Sequence, residues 1–150
     1  MTETAGEIPS LVRALTRQSG TGGRWINLSS DPKATERLGV ELAGRAAAYR
    51  PQLTVTWSVP DDVVLGHIVS RVLGIPALRA DLDLGLITLD REAAPAQRIL
   101  LLTTADDEYR RIGSLDTLLR GLGHTIVAAA SLLGGEAPLL DTETPQFSLA

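Results

Sequence analysis

Apolar residues recur every three or four positions through the first fifty residues, and this spacing predicts two helices. Ser10 is positioned to cap the first helix. Asp31 or Ser30, ahead of Pro32, is positioned to begin the second. A short extended segment at 24–28 is expected between the two helices.

From residue 53 onward, patterns typical of strands alternate with patterns typical of helices. Alternating or continuous apolar runs predict strands at Leu53–Trp57, 77–81, Leu86–Leu89, 98–102, Thr125–Leu133 and 146–149. Helical spacing predicts one helix that ends at Gly74 and another that ends at Gly123. This order is typical of an α/β domain with a mainly parallel central sheet flanked by helices.

Composition narrows the class of protein. The 150 residues suit one domain, and the net charge of −4 without a basic stripe argues against nucleic acid as a partner. No apolar run has the length of a membrane span, so we expect no membrane contact and a cytoplasmic protein. Cysteine is absent, which excludes thiolate metal sites, and Lys33 is the one lysine.

Ligands of parallel sheets bind at the carboxyl ends of the strands, which directs the search for chemistry to 57–62 and 103–114. Both segments carry several charged side chains. Trp25 and Trp57 could stack on a base, but packing in the core is the preferred interpretation for both.

The region 53–133 resembles the type I phosphoribosyltransferases, and the orotate phosphoribosyltransferases in particular. Segment 64–74 is similar to the helix that follows the family's pyrophosphate loop. Segment 98–102, followed by 113–115, is similar to the strand and helix on either side of the loop that binds phosphoribosyl pyrophosphate.

The resemblance implies a single Rossmann-like domain, with a reduced amino-terminal hood at 1–50 and the α/β core at 51–150. It also implies a nucleotide or another phosphate-containing ligand. Three departures from the family's pattern bear on whether the family's reaction is retained.

The first departure lies in the pyrophosphate loop, where the family has small residues that let backbone amides approach the anion. Asp61 and Asp62 stand there in this chain. Two carboxylates repel pyrophosphate unless a metal intervenes. The preferred interpretation is that both aspartates cap the following helix, where the helix dipole favours them.

The second departure concerns the adjacent acidic residues with which the family holds the ribose hydroxyls. Counting forward along the strand places Thr103 and Thr104 there, whereas counting back from Gly113 and Ser114 places Asp106 and Asp107 there. The two counts differ by a three-residue insertion, which we place in the loop because a loop absorbs it at little cost.

Within that loop, Arg110 and Arg111 replace the small hydroxyl residues that surround the family's 5′-phosphate. Arginine binds phosphate through its side chain, so the loop is either a ligand site or a solvated charged segment. If the chain holds a metal, Asp106 and Asp107 are its candidate ligands, whereas Ser114 is explained by capping of the next helix.

The third departure is the segment 90–97, which corresponds to the family's flexible closing loop. It is short and has no lysine to stabilise departing pyrophosphate, and Arg91 is its one basic residue. Arginine and lysine are seldom interchangeable in such roles.

These departures predict a pseudoenzyme that keeps the fold, has lost phosphoribosyl transfer and acts in binding, regulation or assembly. The alternative is an enzyme that uses the same cleft, as a divergent phosphoribosyltransferase or with an acid/base or metal-dependent activity. That alternative requires a set of carboxylates to converge, namely Asp61, Asp62, Asp106, Asp107 and Glu108. Mg²⁺ is expected only if an activity remains.

A homodimer is also expected. The family is commonly dimeric, and two-fold dimers are the commonest soluble assembly. The hairpin at 77–89 carries several apolar residues, namely Leu78, Leu82, Leu84, Leu86 and Ile87. We expect this hairpin and the helix at 65–73 to pack against a second copy, the alternative being that they face the chain's own core.

Overall fold

The computed structural model describes the backbone of residues 4–150 and the side chains of residues 6–150. Its strands are β1 (Thr16–Gln18), β2 (Arg24–Ile26), β3 (Leu53–Trp57), β4 (Ala77–Asp83), β5 (Leu86–Leu89), β6 (Arg98–Ala105), β7 (Thr125–Leu133) and β8 (Gln146–Ser148). The last six form one sheet in the order β5-β4-β3-β6-β7-β8. All neighbours in it are parallel except β4 and β5, so the predicted mainly parallel sheet is confirmed.

Four α-helices accompany the sheet, namely α1 (Thr4–Leu15), α2 (Pro32–Ala46), α3 (Pro60–Leu73) and α4 (Ile112–Gly121). Short 3₁₀ turns lie at Leu28–Ser30 and Ala47–Tyr49. None of the helices in the described part of the chain is long and apolar enough to cross a membrane.

The sheet lies between two hydrophobic cores, so its central strands are buried on both faces. On β6, Leu100 and Leu102 belong to the core shared with α1, α2 and α3. The alternate residues Ile99 and Leu101 belong to the core that α4 covers. The continuous apolar run of β6 therefore supplies both cores from one strand.

Several predicted boundaries are confirmed. Helix α3 ends at Gly74, which adopts the left-handed conformation (φ 69°) that glycine tolerates best. Strands β4 and β5 form the predicted hairpin, and its two turn residues, Leu84 and Gly85, both have positive φ. Positive φ at both positions matches the strand twist across a two-residue turn. Asp31, rather than Ser30, caps α2 by accepting a hydrogen bond from the Ala34 N–H.

The prediction for Ser10 was wrong. Ser10 lies inside α1, and its hydroxyl accepts a hydrogen bond from the Arg13 side chain instead of capping the helix. Pro9 also lies inside α1, so the helix begins earlier than the capping pattern indicates. The chain then forms β1, which pairs antiparallel with β2 and which local periodicity did not predict.

Helices α2 and α3 approach each other closely at Gly39. A Cβ atom at this position would lie 2.3 Å from Cγ2 of Ile68, which is closer than any real contact. Gly44 lies on the same helix, and a Cβ atom there would have no neighbour within 4 Å. One glycine of α2 is therefore required by packing, and the other is not.

We expect Gly39→Ala to lower the free energy of unfolding by about 1–3 kcal/mol, because the added methyl forces the two helices apart. The matched variant Gly44→Ala should raise it by about 0.5–1 kcal/mol through helix propensity. Chemical denaturation of both variants measures the two effects. Equal effects at the two positions would contradict the close approach.

Candidate functional site

The carboxyl ends of β3 and β6 form one edge of the sheet, because these strands are parallel neighbours. A cleft of about 150 Å³ lies at this edge. We call it the strand-end cleft. Its lining residues come from β2, the end of β3, the start of α3, the end of β6 and the loop 106–111, and they are Arg24, Trp25, Ile26, Trp57, Val59, Asp61, Asp62, Thr103, Thr104, Ala105, Asp106, Asp107 and Arg110.

Asp62 connects the start of α3 to the end of β6. Its Oδ1 accepts hydrogen bonds from the Thr104 backbone N–H at 2.8 Å and from the Thr104 hydroxyl at 2.9 Å. Its Oδ2 lies 3.2 Å from the Thr103 hydroxyl. We call these three interactions the Asp62 contact. The residue Asp62 is only 4% exposed, so this is a buried polar contact between two elements of the core.

Asp61 and Asp62 lie in the first turn of α3, as predicted, but the prediction that they cap this helix was wrong. The residue at the cap position is Val59, and no side chain forms a capping hydrogen bond there. Asp61 instead accepts a hydrogen bond from the Leu28 N–H at 3.2 Å, which fixes the 3₁₀ turn beside the cleft. Both aspartates therefore form tertiary contacts.

Burial raises the pKa of Asp62 from 3.8 to about 6, because water no longer solvates the charged carboxylate. The hydrogen bonds from Thr104 and Thr103 oppose this rise, and the charge of Asp61 adds to it. The Thr103 hydroxyl also donates to the carbonyl of Ala105 at 3.0 Å. One hydroxyl has one proton, so a protonated Asp62 can donate to the Thr103 oxygen while that bond persists.

Two acidic residues of the loop 106–111, Asp106 and Asp107, accept hydrogen bonds from nearby backbone N–H groups. Asp106 accepts a hydrogen bond from the Ile112 N–H at 2.9 Å, at the start of α4, and pairs with Arg111 at 3.1 Å. Asp107 accepts from the Tyr109 N–H at 2.7 Å. Strand β6 continues through Ala105, three residues beyond the predicted 98–102, so Thr103 and Thr104 lie in the strand and the loop begins at Asp106.

The ten candidate site residues divide between two places. Asp61, Asp62, Thr103, Thr104, Asp106, Asp107 and Arg110 line the strand-end cleft. Arg111, Gly113 and Ser114 line a separate hollow beside 137–141. Ser114 is the third residue of α4 rather than its cap, so the capping interpretation of Ser114 was also wrong.

Among the described side chains of residues 6–150, no three His, Cys, Asp or Glu side chains come together to hold an ion. Asp106 and Asp107, the candidate metal ligands, each accept a hydrogen bond from a backbone N–H. Mg²⁺ prefers carboxylate oxygens and substrate phosphates as ligands, and its presence at this cleft stays a prediction.

Arg24 and Trp25 at the cleft were missed as site residues. Trp25 is 46% exposed, so the expectation of core packing was wrong for it. Trp57 is 1% exposed and confirms that expectation, and its indole N–H is a buried donor without a hydrogen-bond partner among the described residues. Arg24 and Trp25 lie on β2, which contacts β6. Their sequence neighbourhood carries no signal for this tertiary contact.

The comparisons with known proteins agree with the architecture. No family model and no curated protein sequence matches the chain. A phosphoribosyltransferase from Corynebacterium diphtheriae is similar in structure, with a TM-score of 0.76, 14% identity and coverage of 98% of this chain and 95% of that one. The chain has the type I phosphoribosyltransferase fold.

Enzymes with two different base specificities share this fold. An adenine phosphoribosyltransferase from Trypanosoma brucei, in complex with AMP, pyrophosphate and ribose-5-phosphate, has a TM-score of 0.75, 11% identity and coverage of 94% of this chain and 78% of that one. An orotate phosphoribosyltransferase from Mycobacterium tuberculosis has a TM-score of 0.69, 16% identity and coverage of 97% and 94%. The resemblance noted from the sequence is confirmed at the level of the fold.

The raised pKa of Asp62 predicts a pH dependence of stability. The folded state binds the Asp62 proton more tightly than the unfolded state does. The protonated carboxyl therefore stabilises the folded state below pH 3.8, and this stabilisation is lost as the pH rises through about 6. Asp62→Asn removes this titration. We therefore expect the stability of Asp62→Asn relative to the original chain to rise by about 2 kcal/mol between pH 4 and pH 7.

Denaturant unfolding at several pH values measures this difference. Asp61→Asn removes a charge from the same helical turn and shows how much of the pH dependence belongs to the charge of the cleft in general. A difference between Asp62→Asn and the original chain that stays constant from pH 4 to pH 7 would contradict the raised pKa.

Proposed function

We propose that the chain is a binding protein with the type I phosphoribosyltransferase fold, acting in regulation or assembly, and that it does not transfer phosphoribosyl groups. The Asp62 contact is the observation that carries this proposal. It places a buried carboxylate of the chain on Thr103 and Thr104, the positions that the strand count aligns with the family's ribose-binding acids. The end of β6 then offers threonine donors, already occupied, in place of two carboxylates.

The segment 90–97 supports the loss of transfer. Arg91, its one basic residue, donates a hydrogen bond to the carbonyl of Ala77 and pairs with Asp90. These contacts hold Arg91 beside the start of β4. Lys33 is exposed in the first turn of α2. Transfer requires a cation on the departing pyrophosphate, and neither residue supplies one at the strand-end cleft.

The ligand that we propose is a nucleotide or another phosphate-containing molecule. The T. brucei enzyme of the same fold holds AMP, pyrophosphate and ribose-5-phosphate. In this chain, Arg24 and Arg110 line the cleft and can bind phosphate oxygens through their guanidinium groups. The exposed indole of Trp25 offers a face on which a base can stack.

A ligand panel tests this function. We expect at least one nucleotide or phosphate-containing ligand to raise the melting temperature, because a ligand that binds only the folded state stabilises it by about 2.7 kcal/mol at a hundred times its Kd. Arg110→Ala should reduce the shift, whereas Arg45→Ala, which removes an arginine of α2 paired with Glu41, should not. Samples with phosphoribosyl pyrophosphate, Mg²⁺ and orotate or adenine should contain no nucleotide product.

Formation of orotidine monophosphate or AMP above the background of the heat-denatured protein would overturn the proposed loss of transfer. The absence of any shift across nucleotides, phosphoribosyl pyrophosphate, orotate and divalent metals would overturn the proposed binding function. The two outcomes are independent, so each part of the proposal can fail separately.

The raised pKa of Asp62 favours a second candidate function, an enzyme that uses this residue as a general acid or base. A carboxyl with a pKa of about 6 exchanges protons near neutral pH. Four of the five acidic residues that this alternative requires line the cleft, and Glu108 does not. All four of these aspartates accept a hydrogen bond from a backbone N–H, and the raised pKa ties this alternative to Asp62.

We also propose a homodimer through the β4–β5 hairpin. Fewer apolar residues of the hairpin are available for its interface than the sequence analysis predicts. Leu78 lies in the chain's own core, and Leu82 and Ile87 pack against that core. Leu84 and Leu86 at the hairpin tip are 96% and 70% exposed. These two leucines are the part of the hairpin available to a partner.

Charge complementarity favours a second copy as that partner. Asp81 and Asp83 are exposed beside the hairpin tip. A groove of about 470 Å³ between α3 and β4 is lined by Arg71 and Arg79, among others, and these arginines pair with Glu36 and Asp90 at the surface. A two-fold arrangement can place each acidic, apolar hairpin tip in the groove of the other copy, where its aspartates can share these arginines.

Light scattering at micromolar concentration tests the dimer, and we expect twice the monomer mass of 15.9 kDa. Leu84→Asp should shift the mass to that of the monomer, because it places a charge in the apolar part of the interface. Leu122→Asp changes another exposed leucine, outside the hairpin, and should leave the dimer intact. A monomer in the original chain would refute the dimer, and a dimeric Leu84→Asp would refute this surface.

A further inference from the structure

Three polar groups meet at the carboxyl end of β6, and both threonines that supply them are buried. The backbone N–H and the hydroxyl of Thr104 donate to Asp62, and the Thr103 hydroxyl, whose one proton is shared between the Ala105 carbonyl and Asp62, lies 3.2 Å from Asp62 Oδ2. The group that they bind in the structure is an oxyanion, the Asp62 side chain. Short bonds from backbone N–H and hydroxyl groups are also how proteins bind the carboxylate and phosphate groups of ligands.

The position of these donors is that of a ligand site. They line the strand-end cleft, at the edge of the sheet where parallel α/β proteins bind ligands. Arg24 and Arg110 line the same cleft and can contribute positive charge to an anion there. The donors, the cleft and the arginines together form the parts of an anion site whose innermost position is filled by the chain.

Burial of the charged Asp62 carboxylate costs free energy. Asp62 is nearly inaccessible to water, and its burial makes the charged form less favourable, as its raised pKa records. Asp61 is the next residue, and its charge adds to this cost. A ligand anion that reaches the same donors and also contacts Arg24 and Arg110 competes with this carboxylate.

We propose that the Asp62 contact is an autoinhibitory contact, in which the chain's own carboxylate occupies an oxyanion site formed by Thr103 and Thr104 and has to leave before the phosphate or carboxylate group of a ligand binds there. The inference deepens the proposed binding function and rests on it. In this proposal, Asp62 competes with the anionic group of the ligand for the same donors. The cleft therefore binds anions weakly while the Asp62 contact is in place.

Removing the carboxylate tests the inference directly. Calorimetric titration with inorganic phosphate, and separately with acetate, should give at least about tenfold tighter binding to Asp62→Ala than to the original chain, because charge-assisted bonds to the vacated donors become available. Asp61→Ala removes one negative charge from the same cleft and leaves the Asp62 contact in place. It should therefore bind either anion no more than about twofold tighter than the original chain.

Two further variants separate vacancy of the site from loss of charge. Asp62→Asn is neutral, but its amide can keep the bonds to Thr104 and Thr103, so we expect it to resemble the original chain. Adding Thr104→Val to Asp62→Ala should remove most of the gained affinity. If Asp62→Ala does not unfold cooperatively, Asp62→Ser replaces it, since the shorter side chain cannot reach both threonines.

The readout distinguishes this inference from the proposed function, since inorganic phosphate binding requires neither a nucleotide nor any activity. A gain with phosphate alone assigns the site to phosphate groups, and a gain with acetate alone assigns it to carboxylates. Equal gains in Asp62→Ala and Asp61→Ala would overturn the inference in favour of a simple effect of charge. No gain in a folded Asp62→Ala would also overturn it.

Discussion

The parallel pairing of β3 with β6 is the constraint on which the rest of the molecule depends. Its register places Leu53 opposite Ile99 and Val55 opposite Leu101, so the two central strands end at the same edge of the sheet. Each strand is followed by a helix on one face or the other, and the residues between strand and helix meet above that edge. The contacts between the end of β6 and the start of α3 in the strand-end cleft follow from this one alignment.

Much of the fold could be predicted because its signals are local. Strand β7 has the predicted bounds, since a buried strand shows a continuous apolar run, and α3 ends at Gly74 because its left-handed conformation favours glycine. The prediction for Ser10 was wrong because serine, which often caps helices, is also tolerated inside a helix. Strand β1 has three residues and little apolar content, so its pairing with β2 leaves no periodic pattern.

The candidate site could be predicted only in part. The polar segments after β3 and β6 were found because strand ends are where ligands bind, but the partner of each side chain was not. Asp62 and Thr104 lie 42 residues apart, and the sequence pattern of an aspartate in a first helical turn is the same whether it caps the helix or reaches another strand. Arg24 was missed because β2 reaches the cleft through tertiary packing alone.

The two tryptophans of the chain give it a built-in pair of optical reporters. Trp57 is enclosed in the core beneath the cleft, whereas Trp25 stands half in solvent at the same cleft. Indole emission shifts to longer wavelength as the surroundings become more polar, so we expect Trp25 to emit at longer wavelength than Trp57. The long-wavelength part of the emission then follows events at the cleft, and the short-wavelength part follows the integrity of the core, without any added label.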